Sequence, residues 1–218
     1  THGYGITLSR VDKVTASGQP DMMIDSIPPV SDIKEVQIDR PEIYFGELTD
    51  DYILTNTDEQ EFDYPSRGEE ADNVYTTYKG DAGIKLNIFN RAMFAIREQS
   101  LKLLVSTNLN SDSKIVINRN IMNRVQKIMP FLQYDNDPYI VTADGKLYWI
   151  IDAYTTSSYY PYSEPFDPAK SSMNYIRNSV KVVIDAYNGE TNYNLVNDKD
   201  PIANTYAKIY PKLFKTFD

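Results

Sequence analysis

The chain has 218 residues, 41% of them hydrophobic, enough to bury a substantial core. Its 31 acidic against 22 basic side chains leave a formal charge of -9, a field that repels phosphate backbones and anionic headgroups and argues against nucleic acid as a partner. Without cysteine it has no disulfide, thiol nucleophile or thiolate-held zinc, and a mean hydropathy of -0.48 with no long apolar run leaves no membrane-spanning segment within it.

No basic region followed by an apolar one opens the sequence, so no signal peptide is expected in it. From Gly5 to Val14 and from Val36 to Glu47 β-branched and aromatic residues dominate, and Pro28-Pro29 between them forces an extended link. The first third therefore reads as strand and loop. Tyr52–Asn56 and Glu61–Tyr64 flank the polar run Thr57-Asp58-Glu59-Gln60, a hairpin pattern that Pro65 stops because it has no amide to donate. The acidic stretch Ser66–Asn73 follows as an exposed loop. The period then changes. Leu86, Phe89, Met93 and Ile96 share one helical face; Ile117, Ile121, Val125 and Ile128 share another, opposite Arg119, Asn123, Arg124 and Lys127. Two amphipathic helices are the consequence. The second is expected to begin after Ser111-Asp112-Ser113, whose side chains can accept from first-turn amides, and to end at Pro130.

Beyond Pro130 the pattern returns to strands. Tyr139–Thr142 and Lys146–Ile151 are joined by the turn Ala143-Asp144-Gly145, and a turn at Asp152 leads into a third strand at Tyr159–Tyr162. Tyr148-Trp149-Ile150-Ile151, apolar on both faces, reads as a central strand covered by another layer. Phe166–Ser172 reads as a surface loop. Two tetrapeptides nearly repeat: Ile151-Asp152-Ala153-Tyr154 and Ile184-Asp185-Ala186-Tyr187, each followed six residues after its Tyr by another, Tyr160 and Tyr193. Each reads as strand, turn and return strand. In the second, Asn188-Gly189 accepts positive φ at both central positions, a strong hairpin signal between Val180–Tyr187 and Thr191–Val196. Asp200-Pro201 supplies an N-cap acceptor and a first-turn proline for a short helix running toward Tyr210-Pro211. Strands, then helices, then strands predict one α+β domain over 1–218, built on an antiparallel meander and hairpins with about three amphipathic helices.

The residue inventory narrows the chemistry. The only histidine, His2, stands beside the first residue, where fraying is expected, so imidazole-based catalysis and multi-histidine metal sites are not expected. No phosphate-cradling glycine motif occurs. Asp135-Asn136-Asp137 opens like a calcium loop, but the twelfth position, where a bidentate Glu belongs, is Lys146. A nonstandard Ca²⁺ site on Asp135 and Asp137, or on Asp198 and Asp200, remains beside the plainer reading that these aspartates cap turns. Asp152 and Asp185, at matching points before turns, are candidates for an acid and base pair, which glycoside hydrolysis would need about 5 to 9 Å apart across a cleft. Turn-stabilising hydrogen bonds are their competing role. Among eighteen tyrosines, Tyr159-Tyr160-Pro161-Tyr162 concentrates three, and amphipathic rings suit a binding surface as well as sheet packing. Trp149, Asp152, Tyr160, Tyr162, Arg177 and Asp185 are thus the candidate ligand-binding residues, with Arg177 able to pair with a carboxylate or a ligand anion.

Several long strings are more specific than any of these. Thr1-His2-Gly3-Tyr4-Gly5, Arg40–Glu47 (RPEIYFGE), Glu61–Pro65 (EFDYP), Pro130–Val141 (PFLQYDNDPYIV), Gly145–Ser163 (GKLYWIIDAYTTSSYYPYS) and Asn174–Gly189 (NYIRNSVKVVIDAYNG) together resemble uncharacterised protein family 0182, large prokaryotic multi-pass membrane proteins. The resemblance covers essentially the whole chain. It implies that this is a soluble fragment of a longer membrane protein, lying on the extracytoplasmic side of the cell membrane with the membrane-embedded part as its partner. The family carries no activity over to any residue. The expectation is a non-enzymatic domain binding a cell-envelope ligand or a protein partner, with no cofactor unless Ca²⁺; the alternative is a carboxylate-based hydrolase acting on cell-envelope glycan.

Overall fold

The computed structural model describes residues 1–66 and 72–216. In chain order the strands are β1 (Gly3–Tyr4), β2 (Leu8–Val14), β3 (Pro20–Ile24), β4 (Glu42–Ile43), β5 (Ile53–Thr55), β6 (Glu61–Pro65), β7 (Asn73–Thr76) and β8 (Ile84–Lys85). Helices α1 (Ile88–Arg97) and α2 (Lys102–Val105), strand β9 (Lys114–Val116) and helix α3 (Ile121–Ile128) follow. The last part holds β10 (Gln133–Tyr134), β11 (Tyr139–Ala143), β12 (Lys146–Ser157), β13 (Tyr175–Asp185), β14 (Thr191–Leu195), helix α4 (Pro201–Ile209) and β15 (Phe214–Thr216). This is an α+β fold in which all but one of the strand pairings are antiparallel. The loop expected over 66–73 falls mostly outside the described residues. Among the described residues no helix is long and apolar enough to cross a membrane.

A six-stranded sheet organises the second half, in the order β10-β12-β13-β14-β15, with β11 also pairing β12 and with β14-β15 the parallel pair. Alternation along β12 and β13 explains its sidedness. Ile151, Ala153, Val180, Val182 and Ile184 point one way and are fully buried against Ile121 and Val125 of α3 and Ala203 of α4. Tyr148, Asp152, Lys181 and Asp185 point the other way and stay half-exposed. The expected central strand is there, paired on both sides. Two hydroxyls under α3 satisfy its end: Tyr134 donates to the Met129 carbonyl at 2.7 Å and Tyr193 to the Val125 carbonyl at 3.0 Å. Burial pushes the Tyr193 hydroxyl up to about 12.

Local expectations are corrected at several points. Tyr52–Asn56 and Glu61–Tyr64 form no hairpin with each other, since β5 pairs β9 and β6 pairs β7. No turn occurs at Asp152; β12 runs through it for twelve residues, because β10, β11 and β13 all offer it ladder partners. Tyr159–Tyr162 accordingly forms no strand. The stretch after Ser111-Asp112-Ser113 is strand β9, its buried Ile115 and Val116 paired between β5 and β8, and α3 starts only at Ile121, capped by the Asn120 side chain accepting from the Asn123 amide at 3.0 Å. Finally, α1 turns the other way: Phe94 and Ala95 pack with Leu86 and Leu103, while Phe89, Met93 and Ile96 face outward. Arg91 fixes that orientation by donating to the carbonyls of Leu103, Leu104 and Ser106 at 2.8–2.9 Å.

Candidate functional site

Ionisable side chains from three segments far apart in sequence meet in one buried place. The β1-β4 register sets Tyr4 opposite Glu42, and β6 carries Glu61 and Asp63 two residues apart, hence on one face. His2 packs its ring against Tyr44, centroids 5.0 Å apart, and Tyr4 does the same with Tyr64. The His2 side chain is only 1% exposed and that of Glu61 9%. His2 is therefore not frayed. Arg119, itself buried, holds the chain start in place by donating to the carbonyls of Thr1 at 2.7 Å, Tyr44 at 2.7 Å and Asp51 at 3.1 Å.

The electrostatics of this cluster are unbalanced. His2 Nε2 lies 3.9 Å from Glu61 Oε1 and 3.7 Å from Asp63 Oδ1, beyond hydrogen-bonding distance. His2 Nε2, Glu42 Oε2, Tyr44 Oη, Glu61 Oε1 and Asp63 Oδ1 are all buried without a hydrogen-bond partner among the described residues. Burial, with the negative charges of Glu42 and Glu61 beside it, raises the Asp63 carboxyl above its usual range, only partly offset by His2. Burial and the neighbouring Glu61 carboxylate likewise push the Tyr44 hydroxyl far up. Sequence reasoning missed this cluster because His2 was discounted by position. The available signal was the Glu-x-Asp spacing of Glu61 and Asp63, which in a strand aligns both carboxylates.

The residues singled out from sequence do not converge. Asp152 pairs with Lys181 across the strands and accepts from Asn178 at 3.0 Å. Asp185 accepts from the amides of Tyr187 at 2.8 Å and Asn188 at 2.9 Å, tying its own turn. Both lie on the half-exposed sheet face, but Asp152 is opposite Lys181, four residues along β13 from Asp185, so about 14 Å separates their Cα atoms. Trp149 is half-buried and donates to the Phe45 carbonyl at 2.9 Å. Tyr160 stacks on Tyr175 at 4.3 Å, with the Arg177 guanidinium 5.9 Å from the same Tyr175 ring, so these two candidates do share a neighbourhood. Tyr162 projects fully into solvent. Asp135 accepts from the Asp137 amide at 3.2 Å and the Tyr154 hydroxyl at 3.3 Å, and Asp137 is exposed.

A family model described as an uncharacterised protein family, UPF0182, matches residues 1–218. The chain belongs to this family. It is 52% identical over 215 residues to a UPF0182 protein of Clostridium botulinum (strain Kyoto / Type A2), covering 99% of this chain and 23% of the relative. A UPF0182 protein of Methanospirillum hungatei JF-1 is 51% identical over 221 residues, covering 100% of this chain and 24% of the relative. One from Alkaliphilus metalliredigens (strain QYMF) is 52% identical over 218 residues, with 100% and 23% covered. The chain thus spans about a quarter of the length of the UPF0182 relatives it matches. No solved structure matches it.

Proposed function

We propose that this chain is a non-enzymatic interaction domain of a longer integral membrane protein, on its extracytoplasmic side, and that the outer face of α1 and α2 docks against the membrane-embedded remainder of the same polypeptide. The observation that carries this reading is the unpartnered apolar face itself. Ile88 (87% exposed), Phe89, Met93, Ile96, Leu101 and Val105 stand in solvent together, on helices whose opposite side is already packed. Clustered exposure of this kind marks an interaction surface. The relatives supply the partner's size, since about three quarters of their length lies outside the matched region. Nothing favours the hydrolase: the Asp152 carboxylate is engaged by Lys181 and Asn178 and that of Asp185 by the amides of its own turn, at backbone positions about 14 Å apart.

Hydrogen exchange tests the proposal. Backbone amides of Ile88–Val105 are expected to exchange at least about tenfold more slowly in the full-length protein held in lipid nanodiscs than in the isolated 218-residue chain, with the amides of β12 unchanged. Equal exchange of the two helices in both forms would overturn it.

A further inference from the structure

The geometry points to a divalent transition-metal site held by His2 Nε2, Glu61 and Asp63, with Glu42 completing the negative charge. Three carboxylates and one imidazole are buried together, and among the described residues no Lys or Arg lies within ion-pair distance of the carboxylates. The nearby Arg119 directs its hydrogen bonds to main-chain carbonyls instead. Burying carboxylates whose nearest ion-pair partner is one imidazole at 3.7–3.9 Å is costly, and a metal cation among them offsets that cost.

The gaps fit an ion better than a water. His2 Nε2 is 3.9 Å from Glu61 Oε1 and 3.7 Å from Asp63 Oδ1. A bridging water about 2.8 Å from each atom would hold them about 4.5 Å apart. Two ligands about 2.1 Å from a metal sit about 3.4 Å apart. Among the described residues no three His, Asp or Glu side chains surround one coordination point, so binding requires these side chains to rearrange around the ion. The imidazole is already set for this. Its Nδ1 lies 3.0 Å from the Gly3 carbonyl, to which it can only donate, leaving the lone pair of the neutral ring on Nε2.

Two surface recesses border the cluster. They share Thr1, one being lined by Glu61 with Thr55 and Asn56, the other by His2 with Asp51 and Arg119. The first adds two more buried oxygens without partners, Thr55 Oγ1 and Asn56 Oδ1. A nitrogen beside carboxylates, with no thiolate in the chain, selects Zn²⁺ or Mn²⁺ over Ca²⁺. The ion would fasten the residue just before β1 to β6.

The test is metal titration of the purified chain after EDTA treatment and dialysis. One equivalent of Zn²⁺ or Mn²⁺ is expected to bind, raising Tm by about 5–10 °C at saturating metal. Glu61→Gln with Asp63→Asn removes repulsion without removing volume, so the double variant is expected to fold, to melt at or above the metal-free wild type, and to lose the metal response. Asp135→Asn with Asp137→Asn is expected to keep it. Absence of stoichiometric Zn²⁺ or Mn²⁺ binding by the folded chain, a response to Ca²⁺ alone, or an unchanged response in the Glu61/Asp63 variant would each overturn the assignment.

Discussion

Asp200 shows how a single buried carboxylate is kept charged. It caps α4 through the Ile202 amide at 2.9 Å and accepts from the hydroxyls of Tyr175, Thr155 and Ser179, which come from β12 and β13. Burial alone would raise its pKa; the hydrogen bonds from Ser179, Thr155 and Tyr175 outweigh burial and hold it below the ordinary range. A carboxyl with a depressed folded value contributes stability above its unfolded value of about 3.9 and loses that contribution as pH falls toward the folded value. Asp200→Ala is expected to cost about 2–4 kcal/mol in urea unfolding at pH 7. Asp200→Asn should in addition flatten the loss of Tm as pH falls below about 4. The cap was legible as Asp-Pro in sequence. The three hydroxyls were not, since Thr155 and Ser179 become its neighbours only through the β12-β13 register.

At the scale of elements, the two glycine turns of the main sheet differ in kind. Asp144 and Gly145 both adopt positive φ, at 50° and 71°, a two-residue turn matching the sequence expectation. At Asn188-Gly189 only Gly189 does, at 68°, and the loop is longer, running from Asp185 to Glu190. The reason is tertiary. The Asp185 carboxylate organises the turn, and Asn188 Oδ1 is committed to the Tyr78 hydroxyl at 3.1 Å and the Asp81 amide at 3.2 Å. A Cβ on Gly189 would lie 2.5 Å from the Phe45 ring. Gly189→Ala is therefore expected to lose about 2–4 kcal/mol, read from the denaturant midpoint. The same logic explains α1. Its periodicity announced a helix correctly, but two overlapping apolar stripes were available, and packing against α2 chose Phe94 and Ala95 over Phe89, Met93 and Ile96.

For the whole molecule, Arg119 joins regions that the sequence keeps apart. One side chain donates to carbonyls of Thr1, Tyr44 and Asp51, and burial lowers its pKa without neutralising it. Arg119→Met is expected to cost about 3–5 kcal/mol, because one buried and two part-buried carbonyls lose their donor, and to speed hydrogen exchange at His2–Tyr4 more than at β13. Exchange that rises equally at both would mean the effect is global unfolding alone. In sequence Arg119 sat opposite an apolar stripe and read as a solvent-facing residue; in the fold it is 4% exposed.

What the linear chain determined by itself is local: strand and helix propensity, the capping aspartate, the glycine turn after β11 and the absence of thiols, because these depend on covalent geometry and on neighbours a few residues away. Tertiary structure alone decided the rest. Which stripe of α1 is buried, how far β12 extends and why His2 is ordered all depend on partners tens of residues distant, and the meeting of residue 2 with residues 42, 61 and 63 is a fact of chain folding that no window along the sequence contains.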